Sequence, residues 1–371
     1  MREVLFVAGE ASGDLHASGV AEEMRRRAPD VPMVGIAGSR MQRSGVTLIE
    51  HTDRLAVMGF VEVLKHVPRH YALLSELKRR VRSGAVGLVV LVDYPGFNMK
   101  VAAAAHAAGV PVLYYITPQV WAWGAGRLGA LARTVTRAAV ILPFEEELLR
   151  SHGVPATFVG HPLLDRAAVA MPARDEARRA LGLTDAGRVL ALFPGSRAQE
   201  IARHLGPFLD TARLLERRVR GLRVVVSVAP GLTLDGARSP YPLVHDSSFA
   251  VWRAADAALS KSGTSTLEAA VAGCPLVVAY RTGAASYAIA RRVVTIPRIG
   301  LVNVVAGESV APEFLQGAVN PASMAAALEP LLDPNSVARA AQVAGLARVR
   351  EKLGAPGAAA RVAEMALALA S

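Results

Sequence analysis

The chain has 371 residues, 52% of them hydrophobic and 20% charged, with 42 Lys and Arg against 31 Asp and Glu for a net charge of +11. That composition excludes a disordered chain and falls short of a polytopic membrane protein, while the length exceeds what one core usually fills, so two α/β-sized domains are expected. The one cysteine, Cys274, lies in an apolar stretch and rules out an intrachain disulfide or a thiolate metal cage. Excess positive charge favours polyanions: nucleic acid, an anionic membrane face or phosphorylated substrates. The arginines are scattered along helical stretches and aromatics are only 5%, which argues against a stacking nucleic-acid surface.

In chain order, Met1-Arg2-Glu3 runs into Val4 to Val7, a run too short for a secretory core or a membrane span, so a cytoplasmic protein is expected. Short β-branched runs predict strands at Val4 to Val7, Met33 to Ile36, Leu88 to Val92, Val112 to Tyr115 and Val140 to Leu142, separated by amphipathic helices. After Gly160-His161-Pro162 and a helical link at Arg166 to Leu181, the alternation repeats at Val189 to Phe193, Leu222 to Val228, Ala257 to Ser260 and Leu276 to Tyr280. The reading is α/β, with two Rossmann-like doubly wound domains facing a central cleft. It assigns 1–165 to an acceptor and membrane-facing domain, 166–186 to a linker, 187–345 to a donor-binding domain, and 346–371 to a C-terminal helix near the domain junction.

Ligands of parallel sheets sit beyond the carboxyl ends of the strands, so the loops after strands carry the functional reading. Gly9-Glu10-Ala11-Ser12-Gly13-Asp14 follows the first strand and opens a helix at about Leu15, leaving amides free for an anion or a sugar hydroxyl. The loop has neither the dinucleotide nor the P-loop spacing, and it is equally a turn capped by Ser12 or Asp14. Asp93-Tyr94-Pro95-Gly96-Phe97-Asn98 follows the very apolar strand Leu88 to Val92 and delivers a desolvated carboxyl suited to accept a proton, or a helix N-cap. Pro194-Gly195-Ser196-Arg197 presents a guanidinium fork for a diphosphate, or a surface salt bridge. In Lys261-Ser262-Gly263-Thr264-Ser265-Thr266-Leu267-Glu268 a Gly-and-hydroxyl-rich turn feeds a helix whose amides suit the same anion; Glu268 either completes a capping box with Ser265 or accepts from ribose hydroxyls.

From Val57 to Leu74, the apolar stripe Met58, Phe60, Val61, Leu64, Val67, Tyr71 and Leu74 is bordered by Lys65, His66, Arg69 and His70. This suits either an interfacial helix on an anionic leaflet or a core-facing helix, and Pro68 should kink or divide it. Trp121 and Trp123 serve acyl chains, sugar or core packing. Asp-x-Asp, His-Glu-x-x-His and Cys/His clusters are missing from the sequence, so neither metal nor cofactor is expected.

Together these segments, with Met58 to Leu64, Pro118 to Trp123, Leu142 to Glu145, Val159 to Leu163 and Asn303, resemble the lipid-A-disaccharide synthase family of GT-B glycosyltransferases over essentially the whole length. The family pattern differs at Tyr94-Pro95-Gly96, where Ala-Pro-Asp is usual, and at Gly124, where a basic residue is common. The resemblance implies an inverting transfer from UDP-2,3-diacylglucosamine to 2,3-diacylglucosamine 1-phosphate at the cytoplasmic side of the inner membrane. In it Asp93 is the general base, with Glu10 and Asp14 beside it. Arg197, Ser196, Ser262, Gly263, Thr264 and Ser265 hold the diphosphate, Glu268 the ribose, and Asn303 helps to fix the nucleotide. Ser12, Gly13, Asn98, Trp121 and the Met58 to Leu64 segment fall on the acceptor and membrane side, and a homodimer exchanging the C-terminal segment fits the pattern. Competing readings are another GT-B enzyme acting on UDP-N-acetylglucosamine, such as an epimerase, and a non-enzymatic nucleotide-sugar binding protein.

Overall fold

Every residue from Val4 to Ala8 and from Leu88 to Val92 is buried, as a strand covered by helices on both faces requires. The computed structural model describes residues 2–54, 60–184, 187–236, 239–245, 247–284, 287–288 and 296–370, and for 60–67 and 125 their backbone alone. The chain divides into two units, residues 1–165 with 355–371, and residues 166–354.

The first unit holds a seven-stranded sheet of β1 (Glu3–Ala8), β2 (Met33–Ala37), β3 (Thr47–His51), β4 (Val86–Val92), β5 (Val112–Tyr115), β6 (Arg137–Val140) and β7 (Ala156–Phe158). Its order is β3-β2-β1-β4-β5-β6-β7, parallel throughout. Successive side chains alternate between faces: Leu5, Val89, Leu91 and Tyr114 join one core with Leu77, Phe97 and Val101. Phe6, Leu88, Val90 and Tyr115 join the other with Val20, Met24, Val362 and Ala366. The last helix, Ala358–Ala370, thus completes the first unit's core. The Asp165 carboxylate accepts from the Gly357 amide, and Arg361 donates to the carbonyls of Val159 at 2.9 Å and Ala355 at 2.7 Å.

The second unit repeats the plan with β8 (Arg188–Phe193), β9 (Leu222–Val228), β10 (Leu243–His245), β11 (Ala257–Lys261), β12 (Leu276–Tyr280) and β13 (Glu313–Leu315), in the parallel order β10-β9-β8-β11-β12-β13. The stretch 166–186, expected to be a linker, belongs to this unit. Its helix Arg174–Ala180 sends Arg174 and Arg178 to the Asp256 carboxylate, each at 2.8 Å, and the same carboxylate accepts from the Val189 amide. The expected boundary at 345 falls inside the helix Val337–Lys352, whose buried Gln342 bonds both the amide and the carbonyl of Leu276.

Eight of the nine strands expected from the sequence form where expected; the ninth, expected at Val140 to Leu142, runs instead over Arg137–Val140, because Leu142 becomes the N-cap of the helix Pro143–Ser151. The four remaining strands, β3, β7, β10 and β13, lie at sheet edges, have three to five residues each, and are largely half-buried. Among the described residues no helix is long and apolar enough to cross a membrane. In each sheet the strand order reverses between the first and fourth strands of the unit, β1/β4 and β8/β11, the place where open parallel sheets bind ligands beyond the carboxyl ends of their strands.

Candidate active site

The loops after β1 and β4 flank the first switch point. Asp93 and Tyr94 both take left-handed φ of 49°, a conformation that costs a residue with a side chain. Neighbours enforce it. The Asp93 carbonyl accepts from Asn98 Nδ2 at 2.7 Å and from the Tyr114 hydroxyl at 2.8 Å, and the Asp93 amide donates to the Tyr115 carbonyl at 3.2 Å. The helix Pro95–Ala107 has Tyr94, not Asp93, at its N-cap, so Asp93 is free of capping duty. Burial raises the half-buried Asp93 carboxyl above its ordinary range, the neighbouring Glu10 carboxylate raises it further, and a bond from the Tyr94 amide opposes both. Gly9 is needed for packing: a Cβ there would lie 2.2 Å from the Tyr94 ring, whose hydroxyl shares a 2.9 Å hydrogen bond with His70 Nε2.

The helix expected near Leu15 begins at Ala11, with Glu10 exposed at its N-cap and no side-chain cap, so neither Ser12 nor Asp14 caps it. Ser12 is exposed in the first turn, while Gly13 is buried against Ala8 and the Val92 carbonyl. Asp14 corrects its assignment beside the base: its buried carboxylate accepts from the amides of Gly38 at 2.7 Å, Met41 at 3.1 Å and Arg40 at 3.1 Å, and so caps the short helix Ser39–Arg43. Asn98 is likewise a positioning residue, because its buried amide ties Asp93 to the carbonyls of Val7 and Val92, each at 3.3 Å. Trp121 donates its indole N–H to Glu145 at 3.0 Å and meets Phe144 edge-on, which makes it packing rather than an acceptor surface. Met58 lies outside the described residues. Phe60, Val61 and Leu64 begin the helix Phe60–Arg82, which runs undivided through Pro68, and their side chains lie outside the described residues.

At the second switch point Gly195 has φ of 140°, and a Cβ there would lie 2.5 Å from Cβ of Glu200. Glu200 accepts from the Ser196 amide at 2.9 Å and pairs with Lys261 Nζ at 2.8 Å, while Arg197, 66% exposed in its side chain, approaches it to 3.9 Å. Burial alone would raise the Glu200 carboxyl, but Lys261, the Ser196 amide and Arg197 hold it below the ordinary range. Lys261 also lies 5.7 Å above the Tyr280 ring. His204 accepts from the Arg281 amide through Nε2 at 2.8 Å, which assigns its proton to Nδ1, 2.7 Å from the Glu200 carbonyl. Burial lowers its pKa, so the ring is neutral there.

The hydroxyls of Ser262 and Ser265 are used within the loop, on the Ile299 carbonyl at 2.6 Å and the Lys261 carbonyl at 3.2 Å. Among the described residues the N–H groups of Gly263, Thr264 and Ser265 have no backbone partner and the Thr264 hydroxyl is exposed, so the loop's free donors are three amides and one hydroxyl. They precede the helix Ser265–Ala272, where the peptide dipole favours an anion. Glu268 forms no capping box: it accepts from the Trp252 indole at 3.2 Å and lies 3.7 Å from Arg166. Burial raises its carboxyl despite Arg166. Trp252 in turn stacks on Phe193 at 3.8 Å. Asn303 is fully engaged, donating to the Ala311 carbonyl and Glu313 at 2.7 Å and accepting from the amides of Val310 and Ala311 at 2.8 Å. It supports the loop before β13 rather than presenting donors to a nucleotide.

The sequence pattern places Lys261 at the head of the loop after β11 but gives no reason to pair it with Glu200, 61 positions earlier, or to single out His204, one helical turn after Glu200. A concavity of about 830 Å³ lined by Gly187, Arg188 and Arg218 lies at the amino end of β8, the wrong edge for these loops. Cys274 is buried, its thiol pushed up to about 12, and inert.

Paired doubly wound parallel sheets with functional loops at each switch point are the architecture of GT-B glycosyltransferases and sugar-nucleotide epimerases. In solved structures the chain is similar to a glycotransferase of kitacinnamycin (15% identity, TM-score 0.65, 99% of this chain and 98% of that one). It is also similar to a UDP-GlcNAc 2-epimerase from Neisseria meningitidis bound to UDP-GlcNAc (12% identity, TM-score 0.66, 99% and 100%). The sequence narrows the class. Residues 4–361 match the lipid-A-disaccharide synthetase family, and the lipid-A-disaccharide synthase of Geobacter metallireducens is 42% identical over 99% of this chain and 97% of that protein. The chain belongs to that family and is a glycosyltransferase.

Proposed function

We propose that the chain joins UDP-2,3-diacylglucosamine to 2,3-diacylglucosamine 1-phosphate with inversion, without a metal ion, and releases UDP. The observation that carries the reading is Asp93, a half-buried carboxyl at the β1/β4 switch point whose proton affinity is raised by burial and by Glu10. Asp93 takes the proton from the acceptor's primary hydroxyl as its oxygen attacks the anomeric carbon. The bond from that carbon to the diphosphate breaks on the opposite face, and the electron pair leaves with UDP. Arg197, Lys261 and the free amides of Gly263 to Ser265 take up the leaving charge, and Glu268 accepts from the ribose. On this reading the first unit binds the acceptor and the second the donor.

An apolar cleft of about 200 Å³ at His70, Leu74, Tyr94 and Phe97 supports an acylated substrate on the Asp93 side. The stripe from Met58 to Leu64 and the net charge of +11 support peripheral binding to an anionic cytoplasmic leaflet. UDP release assayed with both acylated sugars, with and without EDTA, tests the function. Disaccharide formed equally in both conditions is the expected result; no product, or product only with free divalent metal, removes the reading.

A further inference from the structure

Four buried side-chain polar atoms have no hydrogen-bond partner among the described residues: Asn98 Oδ1, Tyr115 Oη, Thr117 Oγ1 and Arg127 Nη1. All four lie at the end of β5 or in the segments that follow β4 and β5. The arginine is the costly one, because a charged N–H removed from water without an acceptor has lost its hydration for nothing. Its position is built. The guanidinium lies 4.6 Å from the centre of the Trp123 ring, which fixes its plane. Gly124 has φ of +81°, and a Cβ there would stand 3.2 Å from Nη1, so the absence of a side chain leaves the room that the guanidinium occupies. The phenol of Tyr114, which donates to the Asp93 carbonyl, feels both the Asp93 charge and the Arg127 charge. Arg127 therefore stands on the same rim as the base.

A stacked, immobilised guanidinium with an unused N–H fits a phosphate, whose oxygens match its planar fork. We propose that Arg127 binds the phosphate of the acceptor sugar and so orients the acceptor hydroxyl toward Asp93. The assignment rests on the transfer reaction proposed above. Two substrates carry phosphate, but the donor diphosphate already has Arg197, Lys261 and the amides of Gly263 to Ser265 on the second unit, whereas Arg127 shares its rim with Asp93.

The test is a cycle: wild type, Arg127→Lys and Arg127→Gln, each assayed with the phosphorylated acceptor and with the same acylated glucosamine lacking its phosphate. Arg127→Gln is expected to raise KM for the phosphorylated acceptor about tenfold or more. Arg127→Lys, which keeps the charge and loses the fork, should fall between. The phosphate-free acceptor should bind wild type and Arg127→Gln alike, and UDP affinity should stay at the wild-type value. Equal losses with both acceptors, or a drop in UDP affinity, overturn the assignment, the second because the guanidinium would then serve the donor. If Arg127→Gln does not fold, Gly124→Ala, which crowds Nη1, takes its place in the cycle. A wild type without turnover sinks the parent reading and this assignment with it; a wild type that turns over but fails the cycle sinks this assignment alone.

Discussion

At the β1/β4 switch point a half-buried carboxyl, Asp93, has another acid, Glu10, for its charged neighbour; at the β8/β11 switch point the carboxyl of Glu200 is gripped by Lys261 and approached by Arg197. Burial pushes both acids the same way, toward holding their protons. The neighbours decide the outcome: Asp93 rises above its ordinary range and Glu200 falls below its own. The same strand order thus presents a proton acceptor on one rim and a fixed, charge-paired cation on the other. Proton transfer and anion binding need opposite electrostatics, and the two rims obtain them from the groups beside a carboxyl: Glu10 at Asp93, and Lys261, the Ser196 amide and Arg197 at Glu200.

The comparison breaks most severely at Asp93. Asp93→Asn should lower kcat about 10²-fold or more while UDP binding, measured by calorimetry, stays unchanged. Because the Asp93 pKa is raised, wild-type activity should fall as pH drops through a midpoint above the ordinary aspartate value of 3.8, and Glu10→Gln should move that midpoint down. A third buried acid, Glu145, sharpens the contrast, since its partners are neutral: the Trp121 indole and the Leu142 amide. Burial takes its carboxyl to about 7 against 4.5 for the exposed group. An acid raised in the folded state contributes its full share of stability below its unfolded pKa and loses it as pH climbs through the folded one. Urea unfolding of wild type and Glu145→Gln between pH 5 and 8 should therefore shift in favour of the variant by about 2 kcal/mol as pH rises.

On the second rim, Lys261→Met should weaken UDP binding about tenfold by removing a cation from the anion site. It should also let the Glu200 carboxyl rise, while the acid limb set by Asp93 stays in place. The smallest expected effect separates the two acids of the first loop: Asp14→Asn should cost about 1 kcal/mol in urea unfolding through the cap of the helix Ser39–Arg43. Its kcat should stay at the wild-type value, and a large loss of turnover in a folded Asp14→Asn would put that carboxylate back into the chemistry.

Central strands were legible because burial on both faces demands unbroken runs such as Val4 to Val7 and Leu88 to Val92. Edge strands such as Thr47–His51 and Glu313–Leu315 carry polar residues on an open side and leave no such run. The loops of the site are legible for the same reason: each follows a readable strand, so Asp93 and Arg197 fall just beyond the ends of β4 and β8 on the sequence pattern alone. What failed was partnership at a distance. Asp14 is used by amides 24 to 27 positions away, Asn303 by the loop at Val310 and Ala311, and Lys261 finds Glu200 across two strands and a helix. A side chain's local motif shows what it can do, and only the fold shows whether a neighbour has already claimed it.

The return of Ala358–Ala370 to the first sheet makes the second unit, residues 166–354, an uninterrupted insert within the first. During synthesis the apolar groove of Val20, Met24, Val90 and Tyr115 must wait for Val362 and Ala366 until the whole insert has left the ribosome. A chain cut short after residue 354 would leave that groove bare, so truncation should make the first unit aggregate while the second still folds.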